Sequence, residues 1–96
     1  MVIETTTFRL NDSTDTNEFL AADHRFQTEV VPRRPGFLRR TTARGNDGEW
    51  CVVTLWASMA DAESSAASAQ AHTRTVELLA HVDTGSIQVR RYVSID

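Results

Sequence analysis

Residues 50–56, WCVVTLW, constrain this chain more than any other stretch. A short run of β-branched and aromatic residues fits a strand deep in a sheet better than a helix, which needs more length. Gly45-Asn46-Asp47-Gly48 just before it tolerates positive φ, so residues 37–44 (FLRRTTAR) are expected to pair with 50–56 as an antiparallel hairpin. In that strand Trp50, Val52, Thr54 and Trp56 share one face.

The flanking segments supply the other elements. Residues 2–10 (VIETTTFRL) place Val2, Thr6, Phe8 and Leu10 on one parity and read as a first strand. Asp15 with Glu18 three residues later forms a capping-box pattern, and Phe19, Ala22, Phe26 and Val30 then make one apolar helical stripe that ends before Pro32. Pro35-Gly36 makes a turn into the second strand. Ser58 and Asp61 repeat the capping pattern and open an alanine-rich helix expected to run to about Val82, before Thr84-Gly85 stops it. Residues 86–95 (SIQVRRYVSI) alternate as a last strand. The order βαββαβ is the ferredoxin-like α+β arrangement, an antiparallel sheet with two helices on one face.

At 96 residues the chain suits one domain, 1–96. A domain this short buries only about 60–65% of its unfolded surface, so a partner subunit would help. Phe8, Trp50, Val52 and Trp56 exceed what a solvated sheet face would carry, and two sheets are expected to meet through them in a homodimer. On that reading, charging Val52 or Trp56 would split the dimer or unfold it.

Thirteen acids against ten bases, a net charge of −3, argue against a dedicated binder of nucleic acid or anionic membrane. Cys51 is the sole cysteine, so no intramolecular disulfide is available and a reducing, cytoplasmic setting is expected. No apolar run approaches the roughly 20 residues of a spanning helix, and MVIETTTFRL lacks the pattern of a signal peptide. No cofactor motif and no metal-ligand spacing is visible.

Pro35-Gly36-Phe37 at the mouth of the second strand, then a third strand closing in Leu55-Trp56-Ala57-Ser58 before a capped helix, resembles the dimeric α/β-barrel superfamily, particularly its antibiotic-biosynthesis-monooxygenase-like proteins. The resemblance covers most of the chain. It implies a ligand space between sheet and helices, and one of several activities. Some relatives oxidise polycyclic aromatics without metal or flavin, and others degrade haem. The haem-degrading pattern departs here: Phe8 stands where its asparagine would be, Ser64 where its tryptophan would be, and only His72 matches. A histidine that many relatives carry early in the second helix is also missing from residues 62–67, AESSAA. Two readings follow. One is a cofactor-independent monooxygenase acting on an aromatic or quinol-like molecule. The other is a non-catalytic small-molecule-binding or accessory protein.

His72 shares a helical stripe with Ala62, Ala69, Val76 and Leu79, so its ring should face the sheet. It is the candidate general base, or else a buried imidazole bonded to a backbone carbonyl. His24 flanks the first helix, as a site residue or a boundary histidine, and His81 suits the carbonyl end of the second. Trp50 and Trp56 either wall a flat aromatic ligand or pack the core. Tyr92, beside Gln88 and Arg90, either bonds a phenolic substrate or sits exposed. Arg33, Arg34, Arg39, Arg40 and Arg44 crowd twelve residues, with Arg39 and Arg40 on opposite faces. Whichever of the two enters the sheet–helix space could hold a carboxylate or enolate, with Arg39 taken as the candidate, and the other is solvated or paired with an acid. An RNA-binding reading fails because WCVVTLW lacks the basic, glycine and aromatic signature of the RNA-recognition strand. The small residues from Ala62 to Ala71 either let the helix sit close or leave a cavity, in which Ala62, Ala66 and Ala69 would be lining residues with His72 at the deeper end.

Overall fold

Burial along β3 (Trp50–Trp56) alternates residue by residue: Trp50, Val52, Thr54 and Trp56 are buried, and Cys51, Val53 and Leu55 are half-exposed. The computed structural model describes residues 1–69 and 72–96. Around β3 it places β1 (Val2–Leu10), α1 (Thr16–Glu29), a short 3-10 turn (Val31–Arg33), β2 (Phe37–Arg44), α2 (Met59–Ala69), α3 (Thr73–Leu79) and β4 (Val82–Val93). The four strands form one sheet in the order β2-β3-β1-β4 with every neighbour antiparallel, which is the ferredoxin-like α+β fold. No described helix is long and apolar enough to cross a membrane.

Register carries the parity of β3 across the sheet. Val2, Glu4, Thr6 and Phe8 lie opposite Trp56, Thr54, Val52 and Trp50, and so face the same way. In β2 a register shift between Phe37 and Arg39 puts Phe37 opposite Trp56 and Arg40 opposite Thr54. The inner face packs as two clusters. Phe8, Phe19, Trp50, Val52 and Val82 form one, with Leu10, Leu78 and Ile87 against it. Val2, Trp56 and Ala62 form the other, with Phe37 and Met59 alongside. This corrects the expected dimer face: Phe8, Trp50, Val52 and Trp56 lie inward, within these two clusters, and are not available to a second sheet.

Capping follows the side chains. Asp15 Oδ1 accepts from Asn17 N at 2.8 Å and opens α1. Ser58 Oγ accepts from Asp61 N at 3.1 Å and donates to Asp61 Oδ2 at 2.8 Å. That cap meets the Pro35-Gly36-Phe37 turn, where Ala57 N donates to Gly36 O at 2.8 Å. Gly36 has φ +77°, and a Cβ there would lie 2.1 Å from Asp61 Oδ2. The two motifs that stood apart in the sequence are therefore one junction.

Two expectations are corrected. The second helix is two helices, with His72 extended (φ −81°, ψ 135°) and capping α3 through Nδ1, which accepts from Arg74 N at 3.1 Å. After Glu63, α2 carries only serine and alanine, so no large apolar side chain there anchors a longer helix to the sheet. Strand β4 begins at Val82, and Thr84-Gly85 lies inside it at a register shift against β1 where an end was expected. Helix α3 is held to α1 by Glu77, which accepts from Arg25 and Arg74. Those hydrogen bonds, from Arg25 first and then Arg74, hold its carboxyl below the ordinary glutamate value of 4.5.

Substituting Gly36→Ala should lower stability by about 2–4 kcal/mol in urea unfolding, through left-handed backbone strain plus the clash with Asp61. A variant as stable as wild type would show that the junction yields.

Candidate functional site

Between the two core clusters a cavity of about 200 Å³ separates sheet from helices. It exists because α2 meets the sheet with Ala62, Ser65, Ala66 and Ala69, side chains too short to reach the floor made by Thr6, Val52 and Thr54. Phe8, Val82 and Ile87 line it from one cluster and Trp56 from the other. Phe26 of α1, Val31, and Leu78 and Leu79 of α3 add further apolar wall.

Few charged groups reach this space, and each is engaged; the other polar lining residues are Thr6, Thr54, Ser65 and Thr75. Glu4 accepts from Arg91 Nε at 2.7 Å and from Trp56 Nε1 at 3.4 Å. Arg40 donates through Nη2 to Asp23 Oδ1 at 2.8 Å and through Nη1 to Gln27 Oε1 at 2.9 Å. Thr42 Oγ1 donates to Asp23 Oδ2 at 2.7 Å. The Arg40 and Asp23 side chains are only 6% and 10% exposed, and the guanidinium carbon lies 5.1 Å from the centre of the Phe26 ring. Arg34 is bonded to Ser68. Thr75 also lines the cavity; it is 8% exposed, and its Oγ1 has no hydrogen-bond partner among the described residues. No cluster of three or more His, Cys, Asp or Glu suited to a metal occurs among the described residues.

Of the residues singled out from sequence, Trp56 lines this cavity, as do Ala62, Ala66 and Ala69. Trp50 packs on Phe19 at 5.0 Å between ring centroids, with the Arg44 guanidinium carbon 5.3 Å from the centre of its ring, and does not line the cavity. His72 does not face the sheet: it is exposed, its ring nitrogen spent on capping α3, and it borders a shallow groove with Glu29 and Arg33. His24 is exposed because the inward side of α1 carries Phe19, Ala22 and Asp23. Arg39 lies opposite Leu55 on the outer face, and Arg40 takes the inward place. Tyr92 is opposite Ile3 and 51% exposed, so it too faces away from the cavity.

Sequence reasoning passed over Glu4, Asp23 and Thr75 as site residues, and took Arg39 over Arg40 as the inward arginine. Two signals were present. Asp23 adjoins Ala22 and lies four residues past Phe19, so it interrupts an apolar stripe, and Glu4 shares the inward parity of Val2, Thr6 and Phe8. A carboxylate on a buried stripe calls for a buried cation, and an arginine-rich strand lay nearby.

The fold and cavity define a ferredoxin-like α+β protein with a ligand-sized space between sheet and helices. Several solved structures share that fold at 18% identity or less. A cofactor-independent oxygenase, SnoaB from Streptomyces nogalater, superposes with a TM-score of 0.79 at 18% identity over 99% of this chain and 93% of its own. A protein from Bordetella bronchiseptica, provisionally assigned as an antibiotic biosynthesis monooxygenase, gives 0.82 at 12% identity, covering 99% of this chain and 97% of its own. A Caulobacter crescentus protein with the same provisional assignment gives 0.79 at 15% identity, with 99% and 90% covered. No family model matches the sequence, and no curated protein does.

Removing one partner of the buried ion pair should cost more than removing both. Asp23→Ala is expected to lose about 3–5 kcal/mol, whereas Asp23→Leu with Arg40→Met recovers most of it. Chemical denaturation of the three proteins measures the difference. Equal stability of the single and double variants would mean that Arg40 finds water once Asp23 is gone.

Proposed function

We propose that the cavity takes up a small aromatic molecule and that the protein oxidises it with dioxygen, without a cofactor. One observation carries this reading: an apolar cavity walled by Trp56, Phe8 and Phe26, in a fold shared with a cofactor-independent oxygenase. Size supports it. A dry cavity of roughly 150 Å³ accepts benzene, so about 200 Å³ suits a two-ring aromatic.

The chemistry asked of the protein is modest. Loss of the hydroxyl proton of α-naphthol gives a naphtholate with carbanion character at the para carbon. That carbon reduces O₂, a C–O bond forms, and the resulting peroxide loses water. One naphthol and one O₂ thus become one naphthoquinone and one water. Glu4 is the carboxylate on the cavity wall and takes the role of proton acceptor, in place of a histidine. Binding without turnover is the second reading. It is favoured by one fact: no histidine is among the residues that line the cavity.

Titrating ¹⁵N-labelled protein with α-naphthol should shift the Trp56 indole N–H, assigned by its persistence in Trp50→Phe, and an oxygen electrode should record uptake matched by quinone formation. Glu4→Gln should slow that uptake by roughly 10²-fold or more. A shifted indole with no oxygen uptake leaves the binding reading, and an unmoved indole sinks both.

We also propose that two copies pair through the outer sheet face. It carries Ile3, Val53, Leu55 and Tyr92. The described helices pack on the opposite face. Light scattering should give twice the chain mass for wild type and the single mass for a folded Leu55→Asp variant, because a buried unpaired carboxylate opposes association. A monomeric wild type overturns this pairing.

A further inference from the structure

We propose that Arg34 makes the cavity selective for an aromatic that carries a carboxylate, which its guanidinium holds at the mouth. This rests on the reading that the cavity binds an aromatic and deepens it by naming the class of that molecule. Among the described residues the charged side chains of the wall are Glu4, Arg34 and Arg40. Two of them are neutralised by ion partners: Glu4 accepts from Arg91 Nε at 2.7 Å, and Arg40 donates to Asp23 Oδ1 at 2.8 Å. Arg34 differs. Its described partner is the neutral hydroxyl of Ser68, and it forms no ion pair among the described residues. The charges around the cavity therefore leave a single positive charge uncompensated, and an apolar space beside such a charge favours an anion.

Arg34 stands where a ligand would pass from the apolar interior to solvent. It is half-buried, and it lines both the cavity and the shallow outer groove that it shares with Glu29, Val30, Arg33 and His72. Because Nη1 meets Ser68, next to the lining residue Ala69 and one helical turn past Ser65, the guanidinium itself lies against the α2 edge of the cavity. The acid of the groove, Glu29, is already taken by Arg74 Nε at 2.6 Å and supplies no counterion. A guanidinium carries several N–H donors in a planar fork, so the bond to Ser68 leaves others for a carboxylate. Arg40 does not compete, since an anion there would break its buried pair with Asp23. A ligand whose rings fill the interior thus offers its hydroxyl to Glu4 and a second, anionic group on the far ring to Arg34.

5-Hydroxy-2-naphthoic acid and its carboxamide share rings, hydroxyl and shape, and differ in charge at about pH 7. Equilibrium dialysis of both, with α-naphthol alongside, against wild type, Arg34→Met and Arg34→Lys reads the selectivity, and the amide reports whether each variant keeps its fold. Wild type should bind the acid about tenfold more tightly than the amide. Arg34→Met should abolish that preference while holding the amide within about twofold, and Arg34→Lys, which keeps the charge and loses the planar fork, should retain a preference of about threefold. A preference that survives Arg34→Met overturns the proposal, as does an equal weakening of acid and amide in that variant. Wild type that binds α-naphthol but does not prefer the acid to the amide overturns this inference alone. Wild type that binds none of the three overturns it together with the aromatic-binding reading.

Discussion

Parity along β3 is the constraint on which the rest of the molecule depends. With Trp50, Val52, Thr54 and Trp56 turned inward, register puts Val2, Glu4, Thr6 and Phe8 beside them and leaves Ile3, Val53 and Leu55 outside. A slip of one residue would send two tryptophans to solvent and bring Cys51, Val53 and Leu55 under the helices. The large difference in apolar volume between the two sets makes that slip expensive, so the register of one strand decides both the core and the ligand space. The shift at Leu38 then lets β2 deliver Phe37 and Arg40 to the same side.

The cavity is a consequence of what the inner face cannot fill. Because the space opens to solvent, the missing contacts cost less than a sealed dry void of the same size would. The chain tolerates the gap because each end of the sheet closes around its own aromatic cluster, Phe8, Phe19 and Trp50 at one and Phe37 with Trp56 at the other. The ion pair between Asp23 and Arg40 fixes α1 to β2 without occupying the space. A ligand that filled the cavity would recover contacts the protein makes nowhere else, which is the physical basis for reading it as a site.

Period and punctuation made the fold legible in the sequence. Strand boundaries at 2–10, 37–44 and 50–56 follow from alternation between turn signals, and the caps at Asp15 and Ser58 fall where their side chains dictate. What local pattern does not carry is phase. Alternation in WCVVTLW shows that one face is buried but not which one lies under the helices, so residues of the core were expected at a dimer surface. Arg39 and Arg40 pose the same problem, because a single inserted residue at Leu38 exchanges their faces. Thr75 had no sequence signal, since an unbonded hydroxyl is a property of what surrounds it.

Helical phase explains the candidate site's departure from expectation. A helix continuous from Ser58 to Val82 would turn His72, Val76 and Leu79 toward the sheet. With α3 starting anew at Thr73, the inward positions become Thr75 and Leu78, and Val76 is left 60% exposed. The imidazole that would have been a titrating group in the cavity is instead the cap that makes the new start possible, its ring nitrogen meeting an amide that a continuous helix would have bonded internally. The same change of phase therefore removes a candidate base and installs a neutral hydroxyl.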